Sequence, residues 1–217
     1  MYKNLRHQGK KYNKRGYKLA GRGCIIARID IEQRPIIVEE KSRLGDWELD
    51  TIIGAQGEDV LVSMVERTSK LTRLVKANRK TADNVSKALI EALEPMKAFV
   101  ETLTADNGGE FAYHQRVSSR LSAGFYFAKP YRSWERGLNE HTNGLVRQYF
   151  PKKTNFAEIS DEEIKRVEIL LNNRPRKVLE FETPIERFES LSRDVVHSKR
   201  TKGFLKKSVY LNCALRS

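Results

Sequence analysis

The 217-residue chain predicts an α/β fold, a mixed β-sheet with helices on its faces. Three observations carry that expectation. The runs WELDTIIGA, DVLVSMVER and LTRLVKA are β-prone and are joined by the short polar links AQGE and TSK, the signature of an antiparallel meander. Helical and β-prone segments then alternate, the pattern of strands connected through helices. The length suits one domain of ordinary size with extensions and leaves little room for two.

Taken in order, LRHQGKKYNKRGYKLAGRG has neither helical nor alternating periodicity and reads as an extended arm. The linker RPIIVEEKSRLGD leads into the three meander strands. TADNVSKALIEAL predicts a helix capped by its Thr, with Val85, Ala88, Leu89 and Ala92 on one face and Pro95 at its end. FVETLTA predicts a strand, FAYHQRVSSRL a helix, and GFYFAKP another strand. A helix beginning near Ser133 follows. SDEEIKRVEILLNNR predicts one more, with Ser160 and Glu163 as a capping box and a core-facing stripe of Ile164, Val167, Ile169, Leu170 and Leu171. The expected organisation is a basic arm and linker over 1–40, a core over 41–190, and a basic tail over 191–217.

The net charge of +13 is concentrated at the ends. Residues 1–35 carry ten Lys/Arg against two acids, and residues 193–217 carry seven against one, so the middle of the chain is nearly neutral. Two basic arms on a neutral globule form the electrostatic pattern of a protein that grips a phosphate backbone; solvated tails are the plain alternative. Cys24 and Cys213 show no metal-ligand spacing and no disulfide framework, which fits a reducing compartment. No apolar run approaches the roughly 20 residues of a membrane span, and no signal sequence is evident, so a cytoplasmic location is expected.

Three acids stand out. Asp50 lies inside WELDTIIG, Asp106 follows VETLT, and Glu140 lies in the helix-like stretch SWERGLNEHTNGLVRQYF. Two strand ends and a helix face of this kind aim carboxylates at one point. Oxygen ligands suit Mg²⁺ or Mn²⁺, and two such ions about 3.5–4 Å apart clamp the attacking and leaving oxygens of a phosphodiester. That chemistry, with the basic ends, predicts a metal-dependent enzyme acting on nucleic acid.

The order of these elements resembles the ribonuclease-H-like fold, with the first acid on the first strand, the second just after the fourth, and the third on a later helix. The 33 residues between Asp106 and Glu140 resemble the spacing of DDE transposases and retroviral-type integrases. GDWELDTIIG, TADNGGEF, SWERGLNEHTNGLVRQYFPK and LLNNRPRKVL narrow the match. They resemble the insertion-sequence-thirty family of bacterial transposases, over roughly residues 20 to 187. The resemblance implies a five-stranded integrase core in which Asp50, Asp106 and Glu140 are catalytic and bind two Mg²⁺ or Mn²⁺ ions. It implies cleavage of DNA strands and their transfer during transposition of an insertion sequence.

The partners implied are element ends and target DNA, with a homo-oligomeric, nucleoid-associated protein, no membrane and no small-molecule substrate. Candidate DNA contacts are Arg147, Asn143, Arg136, Lys152, Lys153, Arg174 and Arg176, with Lys10, Lys11, Lys14 and Arg15 in the arm. Arg147 follows Glu140 by seven residues, two helical turns, so the two share a face with Asn143 and Gly144. Family members carry an N-terminal helix-turn-helix region, and the resemblance implies that this chain starts beyond it. Two alternatives stay open: a truncated, non-catalytic DNA-binding remnant that inhibits full-length transposase, and a structure-specific nuclease on the same fold.

Other residues admit plainer roles. Glu48 is expected to be a surface charge, while Glu110 is balanced between that and indirect support of a metal. Trp47 and Trp134 are set for base stacking or for packing. His114 and His141 are not required as bases, because a two-metal site generates its own nucleophile. Arg174, Arg176 and Lys177 suit a helix C-terminus as well as a phosphate.

Overall fold

The computed structural model of the protein describes residues 25–55, 59–129 and 137–201. β1 (Asp46–Ile53), β2 (Val60–Glu66) and β3 (Thr72–Ala77) form the expected antiparallel meander. β4 (Thr102–Ala105) and β5 (Gly124–Phe127) add to the other side of β1 in parallel, giving the order β3-β2-β1-β4-β5. Parallel neighbours need crossovers. The short helix α1 (Ile37–Glu40) precedes the sheet, and α2 (Ala82–Leu93) and α3 (His114–Leu121) supply the connections into β4 and β5. α4 (Gly137–Tyr149), α5 (Asp161–Asn172) and α6 (Pro184–Thr201) follow.

Each strand separates its side chains between two faces, and the faces differ. Trp47, Leu49, Val62, Met64, Leu103, Ala105, Phe125 and Phe127 build the larger apolar cluster, closed by Val85, Ala88, Leu89 and Ala92 of α2, by Val117 and Leu121 of α3, and by Phe188 of α6. The other face carries a smaller cluster in which Ile52, Leu61 and Leu74 meet Val146 of α4, Phe150 just after it, and Ile164, Val167 and Leu171 of α5. β2 is buried along its whole length, which accounts for its continuous apolar run.

The predicted start and stop signals act locally. Thr81 Oγ1 accepts from the Asn84 N–H at 3.3 Å, and Ser160 Oγ from the Glu163 N–H at 3.2 Å, relieving orphan donors at both helix starts. α2 stops at Leu93, and Pro95 falls in the 3-10 turn Glu94–Phe99 that follows. Gly45 has φ +111°, and a Cβ there would lie 3.3 Å from both Phe99 O and Glu101 N. Its carbonyl takes the N–H groups of Glu101 at 2.7 Å and Thr102 at 3.2 Å, so this glycine joins β1 to the start of β4.

Three features depart from expectation. In α5 only Ile164, Val167 and Leu171 of the predicted stripe are buried; Ile169 and Leu170 are 48% and 46% exposed. The buried face continues instead through Glu168 and Asn172, which satisfy edge strand β3: Glu168 accepts from the Leu74 N–H at 2.7 Å, and Asn172 exchanges two hydrogen bonds with the Thr72 backbone. Residues 25–40 lie against the sheet, with Ile29 O accepting from the Phe127 N–H at 2.9 Å and Val38 fully buried. α6 was not expected, yet Thr183 and Glu186 form a reciprocal capping box at its start. No helix among the described residues is long and apolar enough to cross a membrane.

Candidate active site

Asp50 and Asp106 are neighbours because of strand register. β1 and β4 pair as Asp46 with Thr102, Trp47 with Leu103 and Glu48 with Thr104; two residues further along, that register sets Asp106 abreast of Asp50. Parallel strands lie about 4.8 Å apart, so both carboxylates stand on one face, Asp50 within β1 and Asp106 just past the end of β4. Both are half-buried. Asp50 Oδ1 accepts from the Thr51 N–H at 2.8 Å, and Asp106 Oδ1 from the Gly108 N–H at 2.9 Å, in the tight turn that Asp-Asn-Gly-Gly encodes.

α4 is tied along β1 by a polar ladder at i, i+4 and i+8. Asn139 Nδ2 donates to Leu49 O at 3.1 Å, Asn143 Nδ2 to Asp50 Oδ2 at 2.7 Å, and Arg147 to Ile53 O at 2.6 Å. Asn143 is held in turn by Ser63, whose hydroxyl donates to Asn143 Oδ1 at 2.9 Å from β2. Glu140 precedes Asn143 by about one helical turn and is exposed.

Asp50, Asp106 and Glu140 all offer carboxylate oxygens, the donors that Mg²⁺ and Mn²⁺ select. Among the described residues, no three His, Cys, Asp or Glu side chains are gathered tightly enough to enclose a metal ion. The three acids therefore suit such ions in the kind of donor they offer, and Glu140 stands exposed on α4.

The remaining candidates divide. Arg147 uses its guanidinium on backbone: besides Ile53 O it donates to Pro151 O at 3.1 Å, closing the end of α4, and burial pushes its pKa down. Arg176 donates to Leu171 O at 3.0 Å at the end of α5, with burial and then the Arg174 charge pushing it down. Lys152, Lys153 and Arg174 are exposed. Gly144 is exposed, and a Cβ there would meet nothing within 4 Å. Lys10, Lys11, Lys14, Arg15, Arg136, Trp134, Cys24 and Cys213 lie outside the described residues, as do Ser133 and the extended arm.

Glu48 is not the surface charge expected. It is 3% exposed and ion-paired with Arg67 at 2.7 Å, because it faces the same side of the sheet as Asp50 beneath residues 31–40. Glu110 is also buried, accepting from Thr51 Oγ1 at 2.9 Å and pairing with Lys80 at 2.7 Å. Trp47 is a core residue, fully buried with its indole N–H on Phe99 O at 3.0 Å. His114 packs edge-on against Phe127 in the interior, whereas His141 is exposed on α4. Sequence reasoning missed Ser63 and Asn139; the i, i+4, i+8 polar spacing of 139, 143 and 147 on a helix with apolar Val146 and Phe150 was the available signal.

No family model matches the chain. It is 48% identical over 191 residues to the transposase for insertion sequence element IS4351 of Bacteroides fragilis, covering 88% of this chain and 59% of that one. It is 36% identical over 187 residues to the transposase InsI for insertion sequence element IS30A of Escherichia coli, covering 86% and 48%. The chain thus spans about half the length of the curated relatives it matches. Among solved structures, a chain of the simian T-cell lymphotropic virus intasome in complex with PP2A regulatory subunit B56 gamma superposes with a TM-score of 0.55 at 20% identity, over 67% of this chain and 54% of that one. This likeness shows the fold: the mixed five-stranded sheet is ribonuclease-H-like.

Proposed function

We propose that this chain, strongly homologous over most of its length to the IS30-family transposases, is a transposase catalytic portion that cleaves DNA strands and transfers them to new phosphodiesters. The observation that carries the reading is the register of β1 and β4, which sets Asp50 and Asp106 abreast while Asn143 fastens the Glu140-bearing helix to Asp50.

Asp50, Asp106 and Glu140 would hold two divalent ions. Bound there, the ions would activate water or a 3′ hydroxyl as nucleophile and stabilise the leaving oxygen. The chain's own groups do the positioning. The Gly108 N–H holds Asp106, the Thr51 N–H and Asn143 hold the two oxygens of Asp50, and Ser63 fixes the Asn143 amide so that its NH₂ faces the carboxylate. Such outer hydrogen bonds orient ligands and tune their affinity. Lys152, Lys153 and Arg174, exposed beyond the ends of α4 and α5, would meet DNA phosphates. The basic residues at the chain ends would add to that grip, and further copies of the chain would assemble on the two element ends.

The test is an assay on end-labelled DNA carrying the element's terminal sequence, with Mg²⁺ present, scored for nicked and joined products beside Glu140→Gln. Products made by the natural chain and lost in the variant support the reading. DNA bound by both with no product from either would favour a non-catalytic remnant, and nicks without joints a nuclease.

A further inference from the structure

Next to the acids, on the same face of the sheet, a cavity of about 920 Å³ opens between residues 31–41, the end of β2 and α4. That is the size of a ligand pocket. Its floor holds two buried guanidiniums, Arg34 and Arg67, 6% and 4% exposed. Cations so buried require close compensation. Arg34 donates to Thr104 Oγ1 at 2.8 Å and to Glu39; Arg67 donates to Glu48 at 2.7 Å and to Glu39 at 3.1 Å.

Glu39 thus takes one N–H from each guanidinium, one on each oxygen. Its side chain is nevertheless 62% exposed and stands on α1, a single helical turn. Burial would raise the Glu39 carboxyl, but the Arg34 contacts, then those of Arg67, hold it below the usual carboxylate range. Five Lys/Arg against three Glu line the cavity, and burial together with the Lys41 charge pushes the Lys70 ammonium down. The Nε atoms of Arg34 and Arg67 are buried without a hydrogen-bond partner among the described residues. Two guanidinium forks converging on a pair of anionic oxygens form the arrangement that phosphate accepts best.

We propose that this cavity is a phosphate site for a DNA strand, in which a phosphodiester displaces Glu39 from between Arg34 and Arg67. The proposal rests on the DNA reading above. The cavity wall includes Leu138, His141 and Thr142 of α4, so a strand leaving Glu140 along the helix reaches the cavity within a turn. Glu39 is then a built-in stand-in for phosphate, satisfying both cations until DNA arrives.

The test is fluorescence anisotropy of a short labelled single-stranded oligonucleotide with the full chain in EDTA, comparing Glu39→Ala and Glu39→Gln with Glu40→Ala, an exposed acid on the same helix. Removing the stand-in should tighten binding about tenfold, the worth of a charge-assisted contact, whereas Glu40→Ala changes it less than about twofold. Inorganic phosphate should shift the Arg34 and Arg67 Nε–H resonances of the Glu39→Gln protein. Equal effects of the Glu39 and Glu40 changes, or no resonance shift, would overturn the proposal. Because no metal is present, these readouts stand whether or not the chain proves catalytic.

Discussion

On one side of β1, Trp47 and Leu49 are fully buried in the larger apolar cluster with α2, α3 and α6. On the other side the same strand presents Asp46 and Glu48, paired with Thr102 and Thr104 of β4, and then Asp50. There Asp46 accepts from Thr102 Oγ1 at 2.7 Å, Glu48 is paired to Arg67, and Asp50 is held by α4. One face is stabilised by area removed from water; on the other, β1 presents three acids that must each be satisfied, and losing a partner costs stability, before Ile52 joins the smaller apolar cluster. The period of two along a single strand lets eight residues serve both purposes. Fold and chemistry can therefore be broken separately.

The largest effect should come from Asp106→Asn, which lowers cleavage and joining by at least ~10³-fold, about 4 kcal/mol on the barrier. Its urea midpoint should stay in place; a coincident loss of stability would mean that the acid serves the fold. Trp47→Ala breaks the opposite face and should cost about 3–5 kcal/mol in urea unfolding, with the Phe99 carbonyl left without its donor. Asn143→Ala should sit between the two, weakening divalent-ion affinity by about 10–100-fold while costing stability only about 1 kcal/mol.

Glu66 sharpens the contrast, since it is an acid pointing to the apolar side beside Trp47. Burial raises its carboxyl above the ordinary value of 4.5, although Ser69, Gly45 and Thr68 donate to it. A raised folded-state value means that its contribution is fully present below about 4.5 and lost as pH rises through the folded value. The stability advantage of the natural chain over Glu66→Gln should therefore shrink with rising pH, and a growing advantage would reverse the sign. The smallest effect belongs to Gly144→Ala. Helix propensity stabilises the fold by up to about 1 kcal/mol, while oligonucleotide affinity falls if a strand passes over that exposed turn.

Much of this was legible beforehand. The meander, the helix caps at Thr81 and Ser160 and the places of the three acids followed from local patterns, because turn links, capping residues and apolar runs act over a few residues. Parallel addition of β4 to β1 is a long-range choice that no local run encodes, and the register that aligns Asp50 with Asp106 arises only there. Glu48 was misjudged for a related reason: an acid next to apolar residues reads as solvated until its cation, Arg67, arrives from another element. Ile169 and Leu170 show the converse, since consecutive apolar residues on a helix cannot all face one layer.

As proposed, Asp50, Asp106 and Glu140 form one divalent-ion site on the polar face. Titration of Mn²⁺ followed by electron paramagnetic resonance tests it most directly, using the natural chain, Asp106→Asn, Glu140→Gln and the exposed control Asp161→Asn. Each of the first two substitutions should weaken Mn²⁺ binding by at least about tenfold, as loss of a carboxylate ligand does, and the control should not. Equal Mn²⁺ affinity in all four proteins would contradict it.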